Sequence, residues 1–574
     1  MKFVEIYIVF KGEIFMSVQD SFFNPTDEQR HQLFQNSLNR SGRSEDFQNI
    51  LNLLRPPHDI YQYARPLTLK NLKIGIIGAG LSGLAAAYEL RKLGANITIF
   101  DAESNRIGGR IYTSYFNDSK NFYAELGAMR IPVSHETTWH YINLFNLETE
   151  SLSSPRSNNF IFVDNTRVRR DFSGQSITDN IYPYYNLTES EKNTPWNELS
   201  DYAAETMLDS LTPEMRTEIL KIQPQYSVEY SRITKLSNRQ VYEQLGLSQS
   251  AINLISAVEP FTAALLNTSH DETMSSIYSF DFLNTYRIKG GMVNLPMAFF
   301  NSLNNTNPPE FQYDPGILGN VAIKLGYVVN GIIKSSVNKK VNIIYDDPNN
   351  VELMDTFDFV ICAVPFSVLR TFELSPYFSE LKMQAIRELN YIDAHKTAFL
   401  CRKRFWEENA PYGNINGGIS FTDLPIQSVI YPPDHIRCLS EGLCSADSPG
   451  VLIASYNLGQ DATRIGGLNI YRKLETIQKD VDKVHGLPDG FLNTLIQSYR
   501  TVHWNAEPWF RGAFAVAYPG QKVNFLYNML QPEYDSRVFF AGDHVSVKPG
   551  WIQGALYSGK FVANQIATQS RLTD

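Results

Sequence analysis

Residues 72–101 read LKIGIIGAGLSGLAAAYELRKLGANITIFD, and this stretch decides the fold. LKIGIIG is a short apolar run with β-branched residues, the kind buried on both faces of a parallel sheet. The Ala- and Leu-rich LSGLAAAYELRKLG reads as a helix closed by Gly94, and NITIFD as a second strand. Strand, helix and strand within about thirty residues make a βαβ unit. Gly78, Gly80 and Gly83 fall at the strand-to-helix turn. The first permits a tight turn, the second lets a pyrophosphate approach the backbone, and the third lets helix and strand pack closely. Leu81 and Ser82 open the helix, whose unpaired N–H groups suit phosphate. Asp101, followed by Ala102, ends the second strand about twenty residues on, where an acid binds ribose hydroxyls.

Upstream, residues 1–69 are polar, rich in Asn, Gln and Ser, and read as an N-terminal arm. MKFVEIYIVFKGEIF at the start is broken by Glu5, Lys11 and Glu13, too short and too charged to span a bilayer and without a signal-peptide cleavage site; of two readings, a peripheral anchor or sequence ahead of a natural start at Met16, the second is favoured. Downstream, residues 185–285 carry helical spacing punctuated by Pro, Ser and Asn, which predicts a helical insertion. Strand signals return at VAIKLGYVVNGIIKSS, KKVNIIYDD, FDFVICAVP, KTAFLCRKRF and VLIASYNLG. RVFFAGD then leads into a closing helix of small residues, ALYSGKFVANQIA.

The composition narrows the partners. With 51 Lys and Arg against 60 Asp and Glu, the net charge of −9 offers no footprint for nucleic acid or anionic lipid. No stretch reaches the roughly 18 apolar residues of a membrane helix, so a soluble, cytoplasmic protein is expected. Four cysteines in 574 residues are too sparse for a disulfide scaffold; Cys438 and Cys444 lack zinc-knuckle spacing, all four read as ordinary thiols, and no metal is expected.

Beyond the βαβ unit, RIGGRIYT and YAELGAMRIP resemble the flavin-dependent amine and amino-acid oxidases, and FAGDHVSVKPGWIQGALYSG, some 450 residues on, resembles the closing segment of the same site. The resemblance runs over roughly residues 70–570 and implies FAD. Its cofactor contacts fall on Gly109, Arg110, Gly127, Ala128, Met129, Arg130 and Ile332, and on Gly542 and Asp543 near the ribityl–pyrophosphate. Gly550, Trp551 and Ile552 are implied to lie beside the isoalloxazine. The implied architecture is α/β, α+β overall. A discontinuous two-dinucleotide-binding-type Rossmann FAD domain (70–112, 300–388, 530–574) is joined by a mixed-sheet substrate domain (113–170, 389–529) and a helical insertion (171–299).

Arg130 separates amino acids from plain amines as substrates. A carboxylate taken out of water needs a charge-assisted partner, which a guanidinium supplies with two parallel donors, whereas an amine pocket would leave a buried arginine unpaired. The alternative for Arg130 is a structural pairing with an acid such as Glu125. The resemblance adds Tyr456 to the carboxylate clamp and Leu458, Trp504 and Phe514 to the side-chain wall, with Gly550 and Trp551 facing the substrate. It maps the lysine near flavin N5 onto Lys396, and His270 is a candidate for deprotonating the substrate ammonium. It implies an FAD-dependent L-amino-acid oxidase: hydride transfer to flavin N5, then a 2-oxo acid, ammonia and hydrogen peroxide. Large apolar or aromatic substrates and dioxygen are the partners, and a homodimer or higher homo-oligomer is open. Two alternatives stand: an L-amino-acid 2-monooxygenase, which decarboxylates to an amide, and a non-catalytic FAD-binding protein.

Overall fold

The computed structural model describes residues 24–152, 158–171, 173–259, 261–435, 438 and 442–571. The expected start at Met16 lies outside the described residues.

The βαβ unit forms as read. Strand β1 (Lys73–Ile77) lies between β2 (Asn96–Asp101) and β4 (Phe359–Cys362), and the sheet is completed at its edges by β3 (Val321–Leu325) and β5 (Val538–Phe540). All four ladders are parallel. Helix α1 (Leu81–Arg91) is buried at every position, because the closing helix α3 (Ile552–Arg571) packs along it. The two helices approach through missing side chains: a Cβ on Gly559 would lie 2.3 Å from the Ser82 carbonyl, and one on Gly83 would lie 2.1 Å from that of Gly78. A second layer, a four-stranded sheet, covers the other face, and Gly75 in β1 leaves the space that Ile343 and Phe357 fill. The stretch 321–334 is therefore two strands in two sheets. Gly326, at φ +76°, turns the chain between β3 and the strand Val328–Lys334.

The mixed sheet has seven strands. Its strand Ala394–Cys401 pairs antiparallel with Gly450–Leu458 on one side and Ile496–His503 on the other. Between the two sheets' sequences runs the helical segment, built from short helices. Thr188, Thr212, Ser227, Ser237 and Ser248 each accept a hydrogen bond from the backbone N–H three residues on, so hydroxyl caps set these helix starts: serine as expected, with threonine where proline or asparagine was expected. Helix α2 (His270–Tyr278) closes this run of short helices and packs against them.

Two expectations need correction. Residues 24–69 are more than an arm: the helices Asp27–Arg40 and Phe47–Leu54 put Leu33, Phe34, Leu38, Ile50 and Leu54 into the core shared with α1 and α3. Buried Arg30 ties them down through Asp27, Glu136 and the Val133 carbonyl. Their polar composition belongs to the outer faces, which hid the apolar stripe. Nor are all four cysteines thiols. Cys438 and Cys444 have Cα atoms 5.3 Å apart and share a disulfide, leaving Cys362 and Cys401 free and buried. The two sulfurs lie near His435, and all three possible ligand atoms fall within 4.8 Å of one another. Among the described residues no helix is long and apolar enough to cross a membrane.

Candidate active site

One continuous cavity runs from the β1–α1 turn to the face of the mixed sheet. At its nucleotide end, no side chain caps α1 at Gly80, and a Cβ there would meet nothing within 4 Å. Gly78, at φ +107°, turns the chain against the Ala363 carbonyl. The open helix end thus presents free N–H groups and a positive dipole to the cavity, a donor set that fits a dinucleotide pyrophosphate. Asp101 lines the same end; its Oδ2 accepts from Ala79 N at 2.6 Å and its Oδ1 from Glu103 N at 2.9 Å. Burial pushes its pKa up to about 6. Leu81, Ser82, Ala102, Gly109, Arg110, Gly127 and Ala128 line the wall, while Gly83 packs behind it. Ile332 is turned into the core, and Val329, on the preceding turn of the pleat, lines the cavity instead.

Distant segments are clasped at the centre. Arg110 donates to Asp543 Oδ1 at 2.5 Å and to the Ala513 carbonyl at 3.0 Å, while Asp543 Oδ2 accepts from Gly550 N at 2.9 Å. Burial works to raise the Asp543 pKa, yet the guanidinium of Arg110 holds it below the usual carboxylate range. Gly542, Gly550, Trp551 and Ile552 line the cavity here. A Cβ on Gly550 would lie 2.9 Å from the Phe514 ring, which fixes glycine at that position.

At the sheet end, Lys396 and Tyr456 are direct register partners on adjacent antiparallel strands and line the cavity together. Lys396 Nζ donates to the carbonyls of Gly127 at 2.7 Å and Glu125 at 3.2 Å, and sits 4.4 Å from the Tyr456 ring centre. The Met129 sulfur is 3.6 Å from the same ammonium, behind the cavity wall. Burial, reinforced by the charge of Arg130, brings the lysine pKa down to about 7. Arg130 stands half-buried beside this pair. Burial lowers its pKa and only Tyr456 draws it back; among the described residues its guanidinium has neither a hydrogen bond nor a carboxylate partner. Glu125 is engaged elsewhere, accepting from Thr113 Oγ1 and Met292 N. Trp504 lines the cavity and donates to the Leu126 carbonyl at 3.1 Å.

Of the expected substrate-site residues, Arg130 does not itself line the cavity, although its charge reaches Lys396 and Tyr456, and two more lie farther off. Leu458 is buried in the core, with its backbone held by Gln427. His270 is fully buried at the start of α2, Nδ1 on Asn238 Oδ1 at 2.8 Å, away from the cavity wall. Conversely, Val364 and Pro365 line the cavity just past β4, where the AVP following a strand parallel to β1 was the available signal. Phe261, whose ring is 4.8 Å from that of Tyr456, left no local signal, because only the tertiary fold brings the helical segment to the sheet.

Known proteins resemble the chain over most of its length. The L-amino-acid oxidase of Gloydius halys is 26% identical over 537 residues, covering 92% of this chain and 94% of its own. YobN of Bacillus subtilis is 30% identical over 498 residues, covering 86% and 94%. Among solved structures, putrescine oxidase bound to putrescine superposes with a TM-score of 0.64 at 17% identity, over 86% of this chain and 98% of that one, a likeness of fold. A family model described as flavin containing amine oxidoreductase matches residues 81–567. The cofactor is a flavin, the dinucleotide cradle fits FAD, and the chain belongs to the flavin containing amine oxidoreductase family.

Proposed function

We propose that the protein is an FAD-dependent L-amino-acid oxidase, converting an L-amino acid, dioxygen and water to a 2-oxo acid, ammonia and hydrogen peroxide. The observation that carries this reading is Arg130, a half-buried cation whose neighbours are the phenol of Tyr456 and the ammonium of Lys396, with no carboxylate of the described residues to neutralise it. A desolvated guanidinium in that position lacks an anion, and an α-carboxylate provides one with matching bidentate geometry. The L-amino-acid oxidase names of the snake relatives support the same reading.

Each residue has a task. Arg130 and the Tyr456 hydroxyl hold the carboxylate, and so orient the Cα–H bond; alignment of this sort removes several kcal/mol of barrier. FAD, when bound, accepts the hydride and returns the electron pair to dioxygen. Lys396, fixed by the carbonyls of Glu125 and Gly127, places an ammonium whose proton is held loosely next to the reacting centre. Trp504, Phe514 and Trp551 exclude water and offer an aromatic wall to the substrate side chain. Large apolar or aromatic L-amino acids suit that wall.

The test is anaerobic addition of a panel of L-amino acids and of plain amines to the flavin-loaded protein. L-Amino acids with large apolar side chains are expected to bleach the flavin band, and the amines are not. Bleaching by amines alone overturns the proposal. In air, the product is expected to be 2-oxo acid with peroxide; an amide and carbon dioxide in its place would assign the monooxygenase reaction.

A further inference from the structure

Trp551 is held from two sides. Its ring meets the His135 imidazole edge-on at 5.0 Å and 90°, and meets Phe282 at 5.4 Å and 61°. Both neighbours lead to one carboxylate. His135 Nε2 is 3.0 Å from Asp281 Oδ1, and Phe282 is the next residue in the chain. The third tie runs through the tryptophan's own segment. Lys548 Nζ, three residues before Trp551, is 2.9 Å from Asp281 Oδ2 and also bonds Ser275 Oγ, the Ser275 carbonyl and Ser279 Oγ. Ser279 Oγ in turn donates to Asp281 Oδ1 at 2.8 Å.

His135, Asp281 and Lys548 are all buried. A buried ion pair of this kind contributes little net stability compared with an apolar replacement, but it fixes geometry, since breaking it strands a charge. Asp281 sits just past α2, on a turn where Phe280 adopts φ +52°, and the turn leaves Phe282 61% exposed while its inner side closes on Trp551. None of these residues except Trp551 lines the cavity.

We infer that Asp281 is the positioning residue for Trp551: through His135, Phe282 and Lys548 it sets the angle of the indole against the cofactor and the substrate side chain. It thereby couples the helical segment to side-chain selection without touching the substrate. The inference rests on Trp551 forming the wall proposed above.

The test is a double-mutant cycle on the FAD-loaded enzyme with L-phenylalanine, read together with the visible circular dichroism of the bound flavin, which needs no turnover. Asp281→Asn keeps the size and one acceptor but leaves Lys548 without its counter-charge. It is expected to raise KM about tenfold with kcat changed less than about twofold, and to alter the flavin dichroism. Trp551→Phe is expected to do the same, and the double variant no more than either. Additive effects, or a lowered melting temperature with KM and dichroism unchanged, overturn the inference. Phe282→Ala, at an exposed position, runs the same cycle should Asp281→Asn fail to fold. A Trp551→Phe enzyme that keeps wild-type KM and dichroism removes the wall itself, and the inference with it. If no L-amino acid reduces the flavin, the oxidase reading fails while the dichroism cycle still decides the role of Asp281.

Discussion

Arg130 is surrounded by what it does not need: a second cation, Lys396, and a phenol. Such a site is costly when empty and becomes favourable when an anion enters. Replacing it with methionine, of similar length and no charge, should raise KM for an L-amino acid about 100-fold, from the loss of about 3 kcal/mol of charge-assisted bonding. Steady-state kinetics check this, and an unchanged KM removes Arg130 from the clamp. The sequence made Arg130, Lys396 and Tyr456 legible because each stood in a segment with a recognisable pattern, and the register pairing of Lys396 with Tyr456 explains why two such distant motifs meet. Leu458, two residues beyond Tyr456, points to the same face of a flat strand, yet it falls at the strand's end, where the chain turns into a helix and the side chain enters the core. His270 fails differently. A helix-start histidine beside acids resembles a functional one, but here burial brings its pKa down to about 4 and Asn238 occupies Nδ1.

At the scale of elements, the β1–α1 turn lines the end of the cavity that fits a dinucleotide, and its glycines are not equivalent. Gly80 faces open space; Gly83 does not, since its Cβ would strike the Gly78 carbonyl. Gly83→Val should therefore destabilise the fold by on the order of 3 kcal/mol and lower the flavin retained on purification, as measured by denaturant unfolding and by the ratio of flavin to protein absorbance. Equal stability and flavin content would contradict the packing. The elements themselves were legible where periodicity and turn residues agreed, as in residues 72–101. They were misread where two strands abut: residues 321–334 look like one strand because periodicity is blind to a sheet change, and Gly326 was the sole marker. Ile332 was misplaced for a related reason, because a β-strand alternates faces and a small slip in register moves a residue from cavity wall to core.

Across the whole molecule, the −9 charge gives no long-range attraction for a carboxylate, so on the proposed function capture of that group falls to the local cation. The cysteines are the molecule-scale surprise. Composition argued for four thiols, whereas the fold places Cys438 and Cys444 at bonding distance. A thiol reagent added to the denatured, unreduced protein should report two thiols, and four after reduction; four without reductant would exclude the disulfide. Sequence reading also undervalued residues 24–69, whose helices complete the core around α1 and α3.

The clasp between Arg110 and Asp543 joins residues 433 positions apart, and β5 and α3 reach the cofactor sheet only at the end of the chain. A polypeptide leaves the ribosome from its N-terminus, and domains fold as their residues emerge. The nucleotide turn is therefore exposed to the cell long before the strand and helix that roof it have been made. Throughout synthesis, the edge of β4 that β5 will pair and the face of α1 that α3 will cover stand open to chaperones and to wrong partners. A chain truncated ahead of residue 538 would lack the strand, the Asp543 clasp and the helix that close the cavity.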